Sequence, residues 1–312
     1  MPPAPPPTLP ATRSPALTGL LCGLGAFFIW GIFPLYLQLF RTVSPWEILA
    51  HRVLWSALIL LVWLASRGQL SALVAEFRQP RRVLIYTFST LLITTNWLVY
   101  IWAAQNGRVM EASLGYYINP LINVALGMLF LKERLNRLQM LTVALAAAGV
   151  LNLILGYGIV PWVALTLAVT FGSYALLRKV VAFDAIRGLT VETLLLLPFA
   201  IGLMLYWENQ GSLAFLNRGL GFDAQLLTLG IITVVPLSLF LIAGQKLTLA
   251  SLGFVQYLGP SLQFLIAVFL FHEAFTQAHA ITFSCIWAAL AIYSADAVRR
   301  QFKDAAPPAP AP

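Results

Sequence analysis

Glu47, His51 and Arg52 put three ionisable side chains within two helical turns of an otherwise apolar stretch, Trp46–Ala65. A charge set in hydrocarbon costs roughly 3 kcal/mol, so such residues face a protein interior or a wet cavity and need partners. Glu47 and His51 are four apart and share a helix face. A carboxylate beside an imidazole can take up and release a proton near neutral pH, so proton coupling is an expectation for this pair. Arg52 calls for a carboxylate or carbonyl partner. Glu47 has a second reading: Ser44, Pro45 and Glu47 stand at N-cap, N1 and N3 of one helix, the pattern of a capping box. His51 and Arg52 lie a turn deeper, beyond any capping role, and a cavity-facing position is expected for both.

Asn96, Trp97 and Tyr100, then Tyr116, Tyr117 and Asn119, then Tyr174 and Tyr257, are the polar and aromatic residues of other apolar stretches. Together they would form a site for amphipathic organic solutes, by stacking and a few hydrogen bonds. Taken singly, each also suits an interfacial anchor or an interhelical hydrogen bond. Glu192 opens a later stretch with no His or Arg beside it and would favour the positive end of its helix. No His-Glu-x-x-His, Gly-x-Ser-x-Gly or Walker A pattern is present, so no catalytic residue, metal ligand or cofactor is expected. Cys22 and Cys285 sit inside apolar stretches and imply no disulfide framework.

The elements that must position these residues follow from composition. The 312 residues are 60% hydrophobic and 10% charged, with a mean hydropathy of +0.85. A soluble chain of this length could not hide so much apolar surface, so the fold expected is an all-α integral membrane protein. At about 20 apolar residues per crossing, ten transmembrane helices are predicted: Ala16–Gln38, Trp46–Ala65, Val83–Gln105, Met110–Leu131, Leu138–Leu155, Val160–Leu177, Leu189–Trp207, Gln225–Gly244, Leu249–Phe271 and Ala278–Val298. The first run is longer than a signal-peptide core and follows prolines rather than a basic cluster, which points to a span rather than a cleaved signal. Proline-rich tails, residues 1–15 and 299–312, are expected to be disordered.

The net charge of +8 does not point to nucleic acid, because the basic residues are scattered between apolar runs. They report orientation instead. Arg13, Arg67, Arg78, Arg81, Arg82, Lys132, Arg134, Arg137, Arg178, Lys179, Arg187, Lys246, Arg299, Arg300 and Lys303 fall in one set of alternate segments, and Arg41, Arg108 and Arg218 in the other. That asymmetry places both termini in the cytoplasm of a multi-pass protein of the cell (inner) membrane.

The chain also repeats itself. Gln105, Tyr117, Pro120 and Glu133 recur 140 residues later as Gln245, Tyr257, Pro260 and Glu273. Five spans per half make the two halves run oppositely, so residues 16–155 and 160–298 are predicted to be two inverted five-helix repeats. Pro120, Gly259 and Pro260 are expected to break their helices at matched places, which would leave polar backbone facing a cavity; a packing kink is the alternative. Gly19, Gly23 and Ala144–Gly149 read as packing faces. Glu133 and Glu273 lie at helix–loop junctions and are expected to bond to neighbouring backbone or basic groups.

At Phe28–Ile32, Glu47–Ser56, Asn96–Leu98, Glu111–Pro120, Arg178-Lys179 and Leu252–Pro260 the chain resembles the EamA-type drug/metabolite transporters, and within them the RarD branch. The resemblance spans nearly everything between the tails; the repeats end Lys-Glu and His-Glu where the family often has Gly-Glu. It implies two inverted repeats around a central cavity open to alternate sides. The function expected is a secondary transporter, an exporter of small organic metabolites or drugs, whose partners are its solute and the lipid bilayer. An intramembrane enzyme lacking a recognisable motif and a channel are the alternatives; each span offers only one or two polar residues, too few for a continuous polar lining.

Overall fold

A computed structural model describes residues 15–131, 137–156, 158–181, 184–247, 252 and 255–304. Among these residues the chain is helical and contains no strand. The helices are α1 (Pro15–Leu37), α2 (Pro45–Ser66), α3 (Leu70–Phe77), α4 (Pro80–Gln105), α5 (Val109–Leu131), α6 (Arg137–Leu151), α7 (Trp162–Val181), α8 (Ala185–Asn209), α9 (Leu220–Lys246), α10 (Leu258–Leu265) and α11 (Gln277–Asp304). Wider π turns, Asn152–Gly156 and Ile266–Leu270, follow α6 and α10. Proline starts α2 and α4, where its missing N–H has no helical partner to lose.

Among the described residues eight helices are long and apolar enough to cross a membrane, against the ten spans the sequence predicts. At the sixth and ninth predicted positions stand shorter apolar helices, Trp162–Arg178 and Leu258–Leu270. In the ninth, Leu252, Val255 and Gln256 are helical before a turn at Tyr257, and residues 248–251, 253 and 254 lie outside the described set. By its long apolar helices the chain is a multi-pass membrane protein.

Other expectations meet corrections. Pro120 lies inside an unbroken α5, and so does not break it. Pro260 stands in the first turn of α10, where a proline is compatible with a helix start, so only the second half carries a discontinuity. The expected tail from residue 299 is helical as far as Asp304. Residues 1–14 and 305–312, and Glu133, lie outside the described residues. The short α3, between the second and third predicted spans, is tied down by Glu76, whose Oε2 accepts from Arg82 at 2.8 Å and from Tyr86 at 3.4 Å.

α1 packs on α9 and α10, α5 on α7, α2 on α8 and α9, α4 on α7, and α6 on α11. Without a hydrophobic driving force between lipid-immersed helices, close approach of small residues holds such bundles together. A Cβ on Gly115 would come within 2.7 Å of the Ala164 carbonyl, and one on Gly230 within 2.5 Å of the Trp55 Cβ. Gly19, Gly23 and Gly149 pack as expected, against Lys246, Val255 and Cys285 respectively. Leu20, Leu24, Phe28, Leu84, Phe88 and Leu91 are exposed, while Glu47, His51, Arg52, Asn96 and Glu192 are buried. Apolar residues thus face outward over wide areas and the ionisable ones face in, the arrangement that lipid imposes.

Candidate functional site

The bundle has two polar ends. Contacts from Gln105 to Phe40 and Val43, and from Glu273 to the start of α5, assemble one of them. Both Glu273 oxygens accept backbone N–H groups, from Val109 at 2.7 Å and Met110 at 2.8 Å. The expected structural role of Glu273 is therefore an N-terminal cap supplied from a distant part of the chain. Burial pushes its carboxyl above the usual value, and the two N–H donors pull it down.

Glu47 lies at this same end. Ser44 makes no side-chain capping bond, so the capping box does not form. The Glu47 side chain turns inward, and its Oε1 accepts the Ala214 N–H at 2.7 Å. One turn on, the buried His51 places Nε2 4.0 Å from that oxygen. Trp55 Nε1–H donates to His51 Nδ1 at 3.0 Å. An acceptor Nδ1 fixes the ring as neutral, with its proton on Nε2, in this arrangement. The Phe215 ring closes the group, 5.0 Å from His51 and 5.9 Å from Trp55.

Arg52 points the other way, towards α9. Its Nε donates to Thr233 Oγ1 at 3.1 Å, and Thr233 in turn donates to the Leu229 carbonyl. The guanidinium carbon lies 4.7 Å from the Trp97 ring centre and 5.2 Å from that of Phe33. The expected carboxylate or carbonyl partner is absent: among the described residues no acidic side chain lies within 4.0 Å of Arg52. Two desolvated cation–π contacts, at about 2 kcal/mol each, are of the size needed to offset the roughly 3 kcal/mol cost of the charge. Tyr100 stacks on Phe33 at 6.0 Å and meets Tyr116 at 5.8 Å. Tyr116 donates to Asn96 Oδ1, while Asn96 Nδ2 donates to the Leu167 carbonyl at 3.0 Å and to Thr170 at 3.1 Å. Asn96 is thus an interhelical tie behind the Arg52 group.

The opposite end is built on Glu192. Its Oε1 accepts from Ser89 at 2.5 Å and from Arg178 Nη1 at 3.0 Å, and its Oε2 accepts from Tyr174 at 3.2 Å. The absence of a side chain at Gly188 makes room for Arg178, since a Cβ there would lie 2.7 Å from Nη1. Glu192 is therefore paired, contrary to the helix-end role expected for it. The pairing arises from a helix–helix contact that its own neighbours in sequence do not reveal.

Tyr117 and Tyr257 form a third place. Their rings stack at 6.2 Å, and Tyr117 OH lies 2.6 Å from Ser261 Oγ. They line a cavity of about 510 Å³ with Ser261, Trp287 and Ser294, whose walls include no member of the Arg52 group. Asn119 is buried with Oδ1 unpartnered and joins none of these groups. On the same helix, Ser113 ties α5 to α10 through the Pro260 carbonyl at 2.8 Å. The buried Gly259 packs 3.6 Å from Phe27 through the position of a Cβ.

The single aromatic-polar site expected from sequence is thus divided: Glu47 with His51, Arg52 with Trp97, Tyr174 with Glu192, and Tyr117 with Tyr257. Thr233, Phe33, Phe215, Ser89 and Arg178 were not among the expected site residues. Trp55 alone carried a legible signal, four residues after His51. Among the described residues no cluster of His, Cys, Asp and Glu has the makeup of a metal site.

The EamA-like transporter family matches residues 17–155. An uncharacterized transporter of Vibrio cholerae is 43% identical over 91% of this chain and 94% of its own length. The uncharacterized transporter PA0485 of Pseudomonas aeruginosa is 45% identical over 90% and 94%. Protein RarD of Escherichia coli strain K12 is 42% identical over 91% and 96%. A solved crystal structure 21% identical in sequence superposes with a TM-score of 0.56 over 91% of this chain and 98% of the other, a likeness of fold alone.

Proposed function

The chain belongs to the EamA-like transporter family, in its RarD branch, and from that premise we propose that it is a secondary carrier exporting small organic metabolites or drugs by alternating access. The carrying observation is the Arg52 group: a buried cation among aromatic rings at the α2–α9 crossing, with a separate polar latch at each end of the bundle. Glu47 with Ala214 closes one end and Glu192 with Arg178 the other. In an alternating-access carrier, opening would release one latch at a time.

The proposal includes ten helices arranged as two inverted repeats. The packing pattern supports it. Exchanging each helix with its counterpart (α1 with α7, α2 with α8, α4 with α9, α5 with α10, α6 with α11) turns the α1–α9 contact into α7–α4 and α1–α10 into α7–α5. The pairs α2–α8, α5–α10 and α6–α11 map onto themselves, and Tyr117 and Tyr257, equivalent in the repeat, stack on each other. The Lys and Arg asymmetry supports a cell (inner) membrane location with both termini cytoplasmic. Proton coupling is proposed through Glu47 and His51: a proton on His51 Nδ1 would break the Trp55 bond and draw the ring towards Glu47.

The test is counterflow in proteoliposomes with a panel of labelled organic acids, amines, amino acids and sugars. A carrier gives saturable flux that accelerates with solute on the trans side. Flux rising linearly with concentration and indifferent to the trans side would sink the reading. Flux unchanged on collapse of the proton gradient would remove the proton step.

A further inference from the structure

Resting on the carrier reading, we propose that Arg52 is the counter-charge for a carboxylate on the cargo, so that the solute class is a small organic monoanion with an apolar body. A guanidinium offers five N–H donors. Nε is used by Thr233, and the rings of Trp97 and Phe33 lie over the guanidinium. No hydrogen bond from Nη1 or Nη2 exists among the described residues, so the outer edge of the fork has no acceptor. That edge is the part of arginine that binds a carboxylate through two parallel hydrogen bonds.

The surroundings narrow the class. The ionisable groups acting electrostatically on Arg52 are phenols, those of Tyr100 and Tyr116, rather than carboxylates. The Tyr100 hydroxyl is itself buried with no hydrogen-bond partner, a second donor beside the cation. A guanidinium edge with no carboxylate against it selects an anion. One positive charge is neutralised by one carboxylate, whereas a doubly charged phosphate would leave a net negative charge in a desolvated site. An amine or an amino acid would set an ammonium beside Arg52 with no acidic group to receive it. Phe33, Trp97, Tyr100 and Tyr116 supply the apolar walls for the remainder of the solute.

The test measures the thermal unfolding midpoint of the purified full-length protein with benzoate, phenylacetate and butyrate. Benzamide, phenylacetamide and butyramide serve as neutral counterparts, and sodium chloride as the inorganic anion at matched ionic strength. Binding to the folded state raises the midpoint. The acids should stabilise wild type while amides and chloride do not. Arg52→Lys should weaken the effect, and Arg52→Gln should cost at least about tenfold in apparent affinity. If Arg52→Gln does not fold, the acid–amide comparison on wild type and the Arg52→Lys response decide. Equal stabilisation by acid and amide, full reproduction by chloride, retention in Arg52→Gln, or no response to any acid overturns the proposal. The carrier reading fails separately. Trans-accelerated flux of only neutral or cationic solutes keeps the carrier and overturns the carboxylate assignment; acid binding without trans-acceleration keeps the site and removes the carrier.

Discussion

The carboxylate of Glu47 accepts the backbone N–H of Ala214 at 2.7 Å, tying the first turn of α2 to the chain that joins α8 and α9. The bond is buried, so the Ala214 donor has no water to replace a lost partner. With the Arg218–Thr42 bonds and the Phe215 ring on His51, this contact holds residues 210–219 against the start of α2.

Replacing Glu47 by Ala should therefore destabilise the protein by about 1–3 kcal/mol, the cost of a buried unsatisfied donor. Glu47→Gln keeps an acceptor oxygen and should lose much less. Thermal melts of the two variants, with protease cleavage of the 210–219 segment as local readout, check this. Equal melts for Ala and Gln would mean that the bond carries no stability.

At the other end, Glu192→Ala should cost about 3–5 kcal/mol, because it removes the buried carboxylate that Arg178, Ser89 and Tyr174 share. The double change Glu192→Gln with Arg178→Gln removes both charges and should recover part of that loss. A double-mutant cycle on unfolding midpoints measures the coupling. Additive effects would deny a paired site.

Gly230→Ala tests the α2–α9 crossing. The new Cβ would lie 2.5 Å from Trp55 Cβ and 2.7 Å from the Trp55 carbonyl carbon, and backbone cannot yield as a side-chain tip can. A loss of about 1–3 kcal/mol is expected from overpacking. Thr233 lies one turn along α9, so the variant should also weaken solute binding at Arg52 in the thermal-shift assay. Gly202→Ala, which meets nothing within 4 Å, is the control and should do neither.

Glu273 gives a pH signature. Burial is the larger effect and raises its carboxyl above the ordinary 4.5, so the folded state holds the proton more tightly than the unfolded chain. Stability from this group is then fully present below that value and falls as pH rises from 4.5 through the raised folded value. Glu273→Gln should flatten that step in a melt series from acid to neutral pH. An unchanged pH profile in the variant would assign the step to other carboxylates.

How much of this was legible beforehand differs by residue. Composition and spacing gave the all-helical membrane class, the apolar stretches, and His51 and Arg52 as buried groups, because hydrocarbon penalises any exposed charge wherever it falls. The packing glycines Gly19, Gly23 and Gly149 were legible for a similar reason: small residues on a helix face have few other uses in lipid. The role of Glu273 was half legible, since a carboxylate at a helix–loop junction must find donors, but α5 as their source was not.

Partner choice was decided by the tertiary fold. Glu47 had a local capping partner available and bonds Ala214 instead; Glu192 meets Arg178, Ser89 and Tyr174 from two other helices. Arg52 was expected to find a carboxylate or carbonyl and finds one hydroxyl and two rings. Hydropathy and charge are properties of each residue and survive in the linear chain, so the sequence alone determined which groups must be buried. Hydrogen bonds and ring contacts require approach within a few ångströms, and helix crossings such as Gly230 on Trp55 set that approach, so only the folded bundle decided which buried groups are satisfied and which, like the outer edge of Arg52, are left open.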